Sequence, residues 1–189
     1  MESFNILIDV FSAPLILGLF ILLLVALITD ITFHKISNKL ILLGLVVSFI
    51  LQVMLPEGFG ALNWLQGITV GFIGFLPLYL LRAMAAGDVK LMMAVGGFLG
   101  YPLILNALLF TIILGGLFAV IFTIFKGRLT LLVKNMGYML LNLYLNAANK
   151  VWVSSTVDGN SSAGKMPYAI AIASGTMLTV YIDCQGKIF

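Results

Sequence analysis

Two aspartates in an otherwise apolar chain are the residues best suited to chemistry. Asp30 follows a run, residues 14–29, that carries no charged side chain. Asp88 stands next to Gly87 at the mouth of a second, largely apolar run. A carboxyl at or near membrane depth costs roughly 2.5–3.5 kcal/mol on insertion scales, so such residues usually mark a functional site. Two of them, each at the end of an apolar segment, predict a pair that does acid–base work.

The composition is that of a membrane protein. Of the 189 residues, 62% are hydrophobic and 9% are charged, whereas roughly a quarter of the residues in a soluble domain are charged. We therefore predict a polytopic membrane protein, embedded in the lipid bilayer as one domain over residues 1–189. The basic residues are scattered between apolar segments, so nucleic acid is not expected as a partner.

Cysteine and histidine are too scarce for several kinds of active site. Cys184 is the only cysteine and His34 the only histidine. An intrachain disulfide, a zinc site built on histidine and cysteine, and a catalytic triad that uses histidine are therefore excluded. We expect neither a metal nor a cofactor.

Hydrophobic runs predict an all-α bundle of about six transmembrane helices, since about 20 apolar residues cross a bilayer. The predicted spans are residues 11–30, 39–55, 62–82, 88–100, 102–125 and 166–184. Residues 129–150 place leucines at helical spacing between polar residues, which favours an amphipathic helix in the membrane interface. A seventh span is the alternative there. Residues 151–164 are rich in serine, glycine and asparagine and predict a polar loop.

The distribution of basic residues predicts the orientation. Nine of the ten lysines and arginines fall in the loops after the first, third and fifth spans: Lys35, Lys39, Arg82, Lys90, Lys126, Arg128, Lys134, Lys150 and Lys165. The positive-inside rule places these loops in the cytoplasm and both chain ends outside the plasma membrane. Asp30 and Asp88 then lie on the same, cytoplasmic, side.

Three segments resemble the motifs of type IV prepilin peptidases, which are membrane aspartic peptidases with a Gly-x-Gly-Asp motif. Asp30 is followed, after five residues, by Ile36-Ser37-Asn38, where the family has Ile-Pro-Asn. Residues 85–91 resemble Gly-x-Gly-Asp-Val-Lys-Leu, and residues 165–171 resemble Lys-x-Pro-Tyr/Phe-Gly-x-Ala. The three motifs occur in the expected order, and the resemblance covers roughly residues 16–180.

The resemblance implies which residues support the site and also shows where this chain departs from the pattern. The supporting motif residues are Ile36, Asn38, Gly87, Lys90, Lys165 and Pro167. Ser37 stands in place of proline, Ala85 in place of the first glycine and Ala169 in place of a glycine. If the backbone at Ala85 required a positive φ, its methyl group would be strained.

The resemblance further implies an aspartic endopeptidase that cleaves the short basic leader from prepilin-like or preflagellin-like precursors at the cytoplasmic face. Asp30 and Asp88 would be its catalytic pair. Two close carboxyls cannot both ionise cheaply, so one keeps a proton. The charged carboxyl can draw a proton from a water while the neutral one polarises the scissile carbonyl. The pair titrates as a unit, so neither member has a fixed role.

The larger prepilin peptidases also methylate the new N-terminus, using an extra cytoplasmic domain with paired cysteines. Here the first cytoplasmic loop is short and Cys184 is alone. The protein is therefore expected to be a peptidase without methyltransferase activity, similar to the short enzymes of Tad/Flp-type pilus systems or to archaeal preflagellin peptidases.

Two other functions remain open at this point. A small ion-coupled carrier could use membrane aspartates to bind a cation, although such sites tend to lie at mid-membrane within paired repeats, and no repeat is visible. A non-catalytic scaffold for pilus assembly could keep the same fold, and the departures at Ser37 and Ala85 are its main support.

Several single residues have simpler structural explanations. Asp88 fits an ordinary helix N-cap, and Asn38 could cap the second helix as well as support the site. Lys90 could extend to lipid headgroups. Glycines spaced four apart, such as Gly67 and Gly71, could bring the aspartate-bearing helices together or serve generic helix packing.

Overall fold

The computed structural model describes residues 14–33, 35–54, 60–81, 84–125, 137 and 168–185. In these ranges all regular secondary structure is α-helical, which agrees with the predicted fold class. The six helices are α1 (Pro14–Phe33), α2 (Asn38–Met54), α3 (Gly60–Leu80), α4 (Ala86–Leu99), α5 (Leu103–Phe125) and α6 (Ala169–Cys184). The predicted interfacial helix at 129–150 and the predicted loop at 151–164 lie outside the described residues.

The chain divides into two compact units by its internal contacts. One comprises Met1–Gly115 with Pro167–Phe189, and the other comprises Gly116–Met166. The first unit contains α1 to α4, the first part of α5, and α6, and everything that positions the candidate site belongs to it. Of the second unit, the structure describes mainly the last part of α5. There the Thr123 hydroxyl donates a hydrogen bond to the Ala119 carbonyl at 2.7 Å.

Three of the helices are long and apolar enough to cross a membrane. They are α1, α3 and α5, with 20, 21 and 23 residues, and at 1.5 Å per residue each covers the roughly 30 Å of a hydrocarbon core. Large apolar side chains are exposed along them, including Ile21, Leu65 and Ile113. The protein is therefore a multi-pass membrane protein. The helices α2, α4 and α6 are shorter, with 17, 14 and 16 residues.

Helix α4 is the centre of the packing, since it contacts α1, α2, α3 and α6. Ten of its fourteen residues are buried, and Leu91, Met92, Ala94 and Val95 are fully enclosed. A helix that is apolar on all sides is stable only when other elements surround it. The short α4 is therefore covered mainly by protein.

The closest helix approach joins α3 and α4 and depends on glycine. A methyl group on Gly67 would overlap the carbonyl oxygen of Gly96, and a methyl group on Gly96 would overlap that of Gly67. One turn along α3, a methyl group on Gly71 would lie 2.6 Å from the Met92 carbonyl oxygen. The spacing of four between Gly67 and Gly71 therefore does bring two helices into backbone contact.

The end of α4 far from Asp88 is fixed by side chains of α2 and α3. In a regular helix the Phe98 carbonyl would accept a hydrogen bond from the N–H of residue 102, but Pro102 has no N–H. The Gln52 amide of α2 supplies the missing donor at 3.0 Å. Asn63 of α3 forms two further hydrogen bonds with the backbone of Tyr101, at 2.7 and 3.0 Å. These contacts hold α4 in place along its axis.

Gly67→Ala should destabilise the protein strongly, because the new methyl group has no space between the α3 and α4 backbones. Overpacking of this kind costs about 1–3 kcal/mol, which should lower the midpoint of thermal unfolding in detergent, followed by circular dichroism. Gly116→Ala is the matched control, since a methyl group there meets nothing within 4 Å. Alanine should be neutral or stabilising at Gly116 by up to about 1 kcal/mol. Equal midpoints for the two variants would refute the close approach.

Candidate active site

Asp30 lies on the buried face of α1, one turn before the helix ends. The buried residues of α1 are Leu19, Leu22, Leu23, Ala26 and Asp30. These positions share one face of a helix with 3.6 residues per turn, so the carboxyl continues the apolar stripe that faces the other helices. Only 8% of Asp30 is exposed.

The carboxylate of Asp30 is held by the first residue of α6. The Ala169 N–H donates a hydrogen bond to Asp30 Oδ2 at 3.2 Å. The N–H groups in the first turn of a helix have no partner within the helix, and the helix dipole is positive at that end. The N-terminus of α6 therefore satisfies its own amide and stabilises negative charge on Asp30 at the same time.

Asp88 lies in the first turn of α4 and is 6% exposed. Its Oδ2 accepts a hydrogen bond from the Ala85 N–H at 3.1 Å. This is the reciprocal half of a capping box, in which a side chain three residues into the helix bonds back to the N-cap amide. Asp88 is thus not itself the N-cap residue.

Ala85 accommodates its methyl group without strain. Its backbone is extended, with φ −81° and ψ 154°, a region open to every L-residue. The strain that a positive φ would have caused at Ala85 is therefore absent. At Gly87 the available space is limited by Ile36, since a methyl group there would lie 3.4 Å from Ile36 Cβ.

The two carboxyls lie at the same end of the bundle, close enough to interact electrostatically. Asp30 comes from the end of α1 and Asp88 from the start of α4, and these helices pack against each other and against α6. Each carboxyl has its Oδ2 bound to one backbone N–H. The arrangement therefore places two acidic groups from different helices at one end of the bundle.

The segments that carry the first and second motifs also contact each other beside the aspartates. Ile36 packs over Gly87, and Lys90 Nζ donates a hydrogen bond to Asn38 Oδ1 at 2.9 Å. The interaction of Lys90 is therefore with a side chain of α2. The suggestion that Asn38 caps α2 is wrong, because α2 begins at Asn38 and the Ser37 hydroxyl accepts the Lys39 N–H at 3.3 Å.

Tyr168 is a residue of the site that the sequence did not single out. It directly precedes Ala169, and it lies close enough to Asp88 to interact electrostatically. Its ring meets Phe75 of α3 edge-on, with centroids 6.3 Å apart. Its hydroxyl occupies the space beside Gly115 of α5, which a methyl group would fill. In the sequence, only the occurrence of Tyr168 within the third motif could have indicated that it belongs to the site.

The remaining predicted residues, Lys165 and Pro167, lie outside the described residues, as does His34. Within the described ranges, no group of three or more histidine, cysteine, aspartate or glutamate side chains is placed to hold a metal ion.

Comparison with known proteins gives one family. No curated protein and no solved structure gives a significant match. A family profile described as the type IV leader peptidase family matches residues 17–120, which include Asp30 and Asp88. Because this match covers more than half of the chain, the protein belongs to the type IV leader peptidase family, a family of aspartic peptidases.

Proposed function

We propose that this protein is a membrane-embedded endopeptidase that removes the short basic leader from prepilin-like or preflagellin-like precursors, with Asp30 and Asp88 as its catalytic pair. One observation carries the proposal. Two buried carboxyls from separate helices that pack against each other lie at the same end of the bundle, in a chain that belongs to an aspartic peptidase family.

The proposed chemistry needs one proton shared between the two carboxyls. The ionised carboxyl takes a proton from a water, and the resulting hydroxide attacks the scissile carbonyl carbon. The protonated carboxyl donates to the carbonyl oxygen, which gives a tetrahedral intermediate. As the C–N bond breaks, the carboxyl that took the proton from water gives it to the leaving amine, and the proton on the former carbonyl oxygen returns to the other carboxyl. The backbone N–H groups of Ala169 and Ala85 orient the carboxyls through their Oδ2 atoms, which leaves the other oxygens for water and substrate.

We further propose that all six helices cross the membrane as a single peptidase domain. At 1.5 Å per residue, the 17 residues of α2 and the 16 of α6 extend roughly 24–26 Å, so a few flanking residues complete each crossing. The 14 residues of α4 are supported by the neighbouring helices, because most of that helix is buried.

In this topology the active site faces the cytoplasm and both chain ends lie outside. Lys35, Lys39 and Lys90 are close in sequence to the two aspartates, and basic residues mark cytoplasmic loops. The basic leader of a precursor would remain in the cytoplasm, while the apolar helix that follows it packs against the exposed apolar faces of the spans. The scissile bond would then reach the carboxyls at the membrane boundary.

The two rival functions have less support. A carrier would place its aspartates at mid-membrane on interrupted helices, whereas Asp30 is near the end of α1 and Asp88 in the first turn of α4. A non-catalytic scaffold drew support from Ser37 and Ala85, and the negative φ of Ala85 removes the second of these two arguments.

Asp30→Asn and Asp88→Asn should each abolish cleavage of a co-expressed precursor that carries a basic leader. Asparagine keeps the shape but cannot exchange the proton, and general acid–base catalysis contributes about 10²–10⁴-fold. The initial cleavage rate, measured as the mobility shift of the precursor on a gel, should fall at least about 100-fold.

Asp183→Asn is the matched control, because Asp183 lies at the opposite end of α6 from Ala169. It should cleave at the wild-type rate, with membrane levels of all variants compared by immunoblot. If both active-site variants trim the precursor as fast as the wild type, the proposed mechanism is wrong. A wild-type protein that cleaves no such precursor but moves a cation in liposomes would favour the carrier.

Lys90→Met should slow cleavage moderately, because it removes the hydrogen bond to Asn38 while keeping the length of the side chain. One such bond contributes about 1 kcal/mol, so kcat should fall roughly fivefold with little change in KM. Lys39→Met removes the same charge from the first turn of α2 and should cleave normally. Lys90→Arg, which keeps a donor, should retain most of the activity. Equal losses in the Lys90→Met and Lys39→Met variants would show that charge, and not the contact with Asn38, matters, and a wild-type rate for Lys90→Met would show that the contact has no role in cleavage.

A further inference from the structure

Serine and threonine hydroxyls in the described helices follow one pattern, with two exceptions. Most of them donate to a carbonyl oxygen three or four residues earlier in the same helix, as is common for serine and threonine. The residues that do so are Thr29, Thr32, Ser48, Thr69, Thr123, Ser174 and Thr179.

Thr111 of α5 and Thr176 of α6 do not follow this pattern. Both side chains are fully buried, and neither hydroxyl has a hydrogen-bond partner among the described residues. A buried hydroxyl without a partner is costly, and buried polar groups in native proteins are almost always satisfied. Each of these two hydroxyls therefore calls for a partner that the described residues do not supply.

Thr111 lies in a close contact between α5 and α6, and Thr176 is adjacent in sequence to the α6 residue of that contact. Thr111 lies directly against Gly175, since a methyl group on Gly175 would fall 2.5 Å from Thr111 Oγ1 and 2.6 Å from its backbone nitrogen. Thr176 is the next residue along α6. One turn further along α5, Gly115 receives the hydroxyl of Tyr168. We call the line formed by Thr111, Gly115, Tyr168, Gly175 and Thr176 the α5–α6 seam.

We propose that Thr111 and Thr176 together bind a water molecule within the α5–α6 seam. Each hydroxyl can donate and accept, and a buried water needs two to four polar partners of this kind. Two neutral hydroxyls do not suit an ion, because a hard cation requires more oxygen ligands and an anion requires positive charge. The ligand chemistry that matches them is that of a small neutral molecule with both donors and acceptors.

The proposed water lies close to the part of α6 that holds Asp30. Thr176 follows Ala169 by seven residues, about 10 Å along the helix. A water shared by α5 and α6 would join the two helices where no direct hydrogen bond between these hydroxyls is available. The proposal concerns this seam only and holds whether or not Asp30 is catalytic.

The sign of a stability change tests the proposal. Valine has the shape of threonine without the hydroxyl. If the hydroxyls share a water, Thr111→Val and Thr176→Val should each lower the midpoint of thermal unfolding by about 2–4 °C, and the double variant should lose less than the sum of the two. If the hydroxyls bind nothing, valine removes an unsatisfied group and raises the midpoint. A rise, or strictly additive losses, would overturn the shared water.

A second measurement needs no variant. Solid-state NMR of the protein in lipid vesicles, with labelled threonine, can detect magnetisation transfer from water to each residue. Thr111 and Thr176 should receive it, whereas Thr179 is the control, because it is equally buried and its hydroxyl is bound to the Gly175 carbonyl. Transfer to Thr111 and Thr176 no stronger than to Thr179 would contradict the proposal.

Discussion

The burial of two carboxyl groups in an apolar helical bundle sets the requirements for the rest of this structure. A buried acid must be hydrogen-bonded, paired or protonated. Here each carboxyl receives a backbone N–H from the start of a helix, Asp30 from Ala169 and Asp88 from Ala85. The N–H groups in the first turn of a helix have no partner within the helix and are available for such bonds. Because Asp30 lies on α1, its bond to Ala169 requires the start of α6 to meet the end of α1, and a catalytic pair further requires the start of α4 at the same end of the bundle.

Close packing elsewhere keeps α4 in the position that this meeting requires. Gly67 and Gly96 let the backbones of α3 and α4 touch, and Gln52 supplies a donor to the carbonyl that precedes the break at Pro102. Both contacts lie toward the C-terminal end of α4, while Gly71 against Met92 and Ile36 against Gly87 pack the end that carries Asp88. Close packing therefore positions α4 along its whole length.

The sequence predicted the helices well because apolar length is a strong signal in membrane proteins. The predicted span of 102–125 and the observed α5, Leu103–Phe125, differ by one residue. The two aspartates stood out because charge is rare in such runs. The departure at Ala85 could not be judged from the sequence, since its effect depends on a backbone angle that only the fold reveals.

What the sequence could not predict are contacts that depend on how the helices are placed against one another. The bond between Ala169 and Asp30 joins residues 139 positions apart, and no local pattern announces it. The bond between Lys90 and Asn38 joins residues 52 positions apart and is equally invisible in the local sequence. The role of Tyr168 likewise rests on Phe75 and Gly115, from two other helices.

The coupling of Asp30 and Asp88 can be measured directly by following the carboxyl carbon of Asp88 through a pH titration with carbon-13 NMR. If the two groups share a proton, the wild-type curve should show two coupled steps, and Asp30→Asn should reduce it to one. An Asp88 curve that is identical with and without the Asp30 carboxyl would show that the two groups do not interact, and would contradict a catalytic pair that shares one proton.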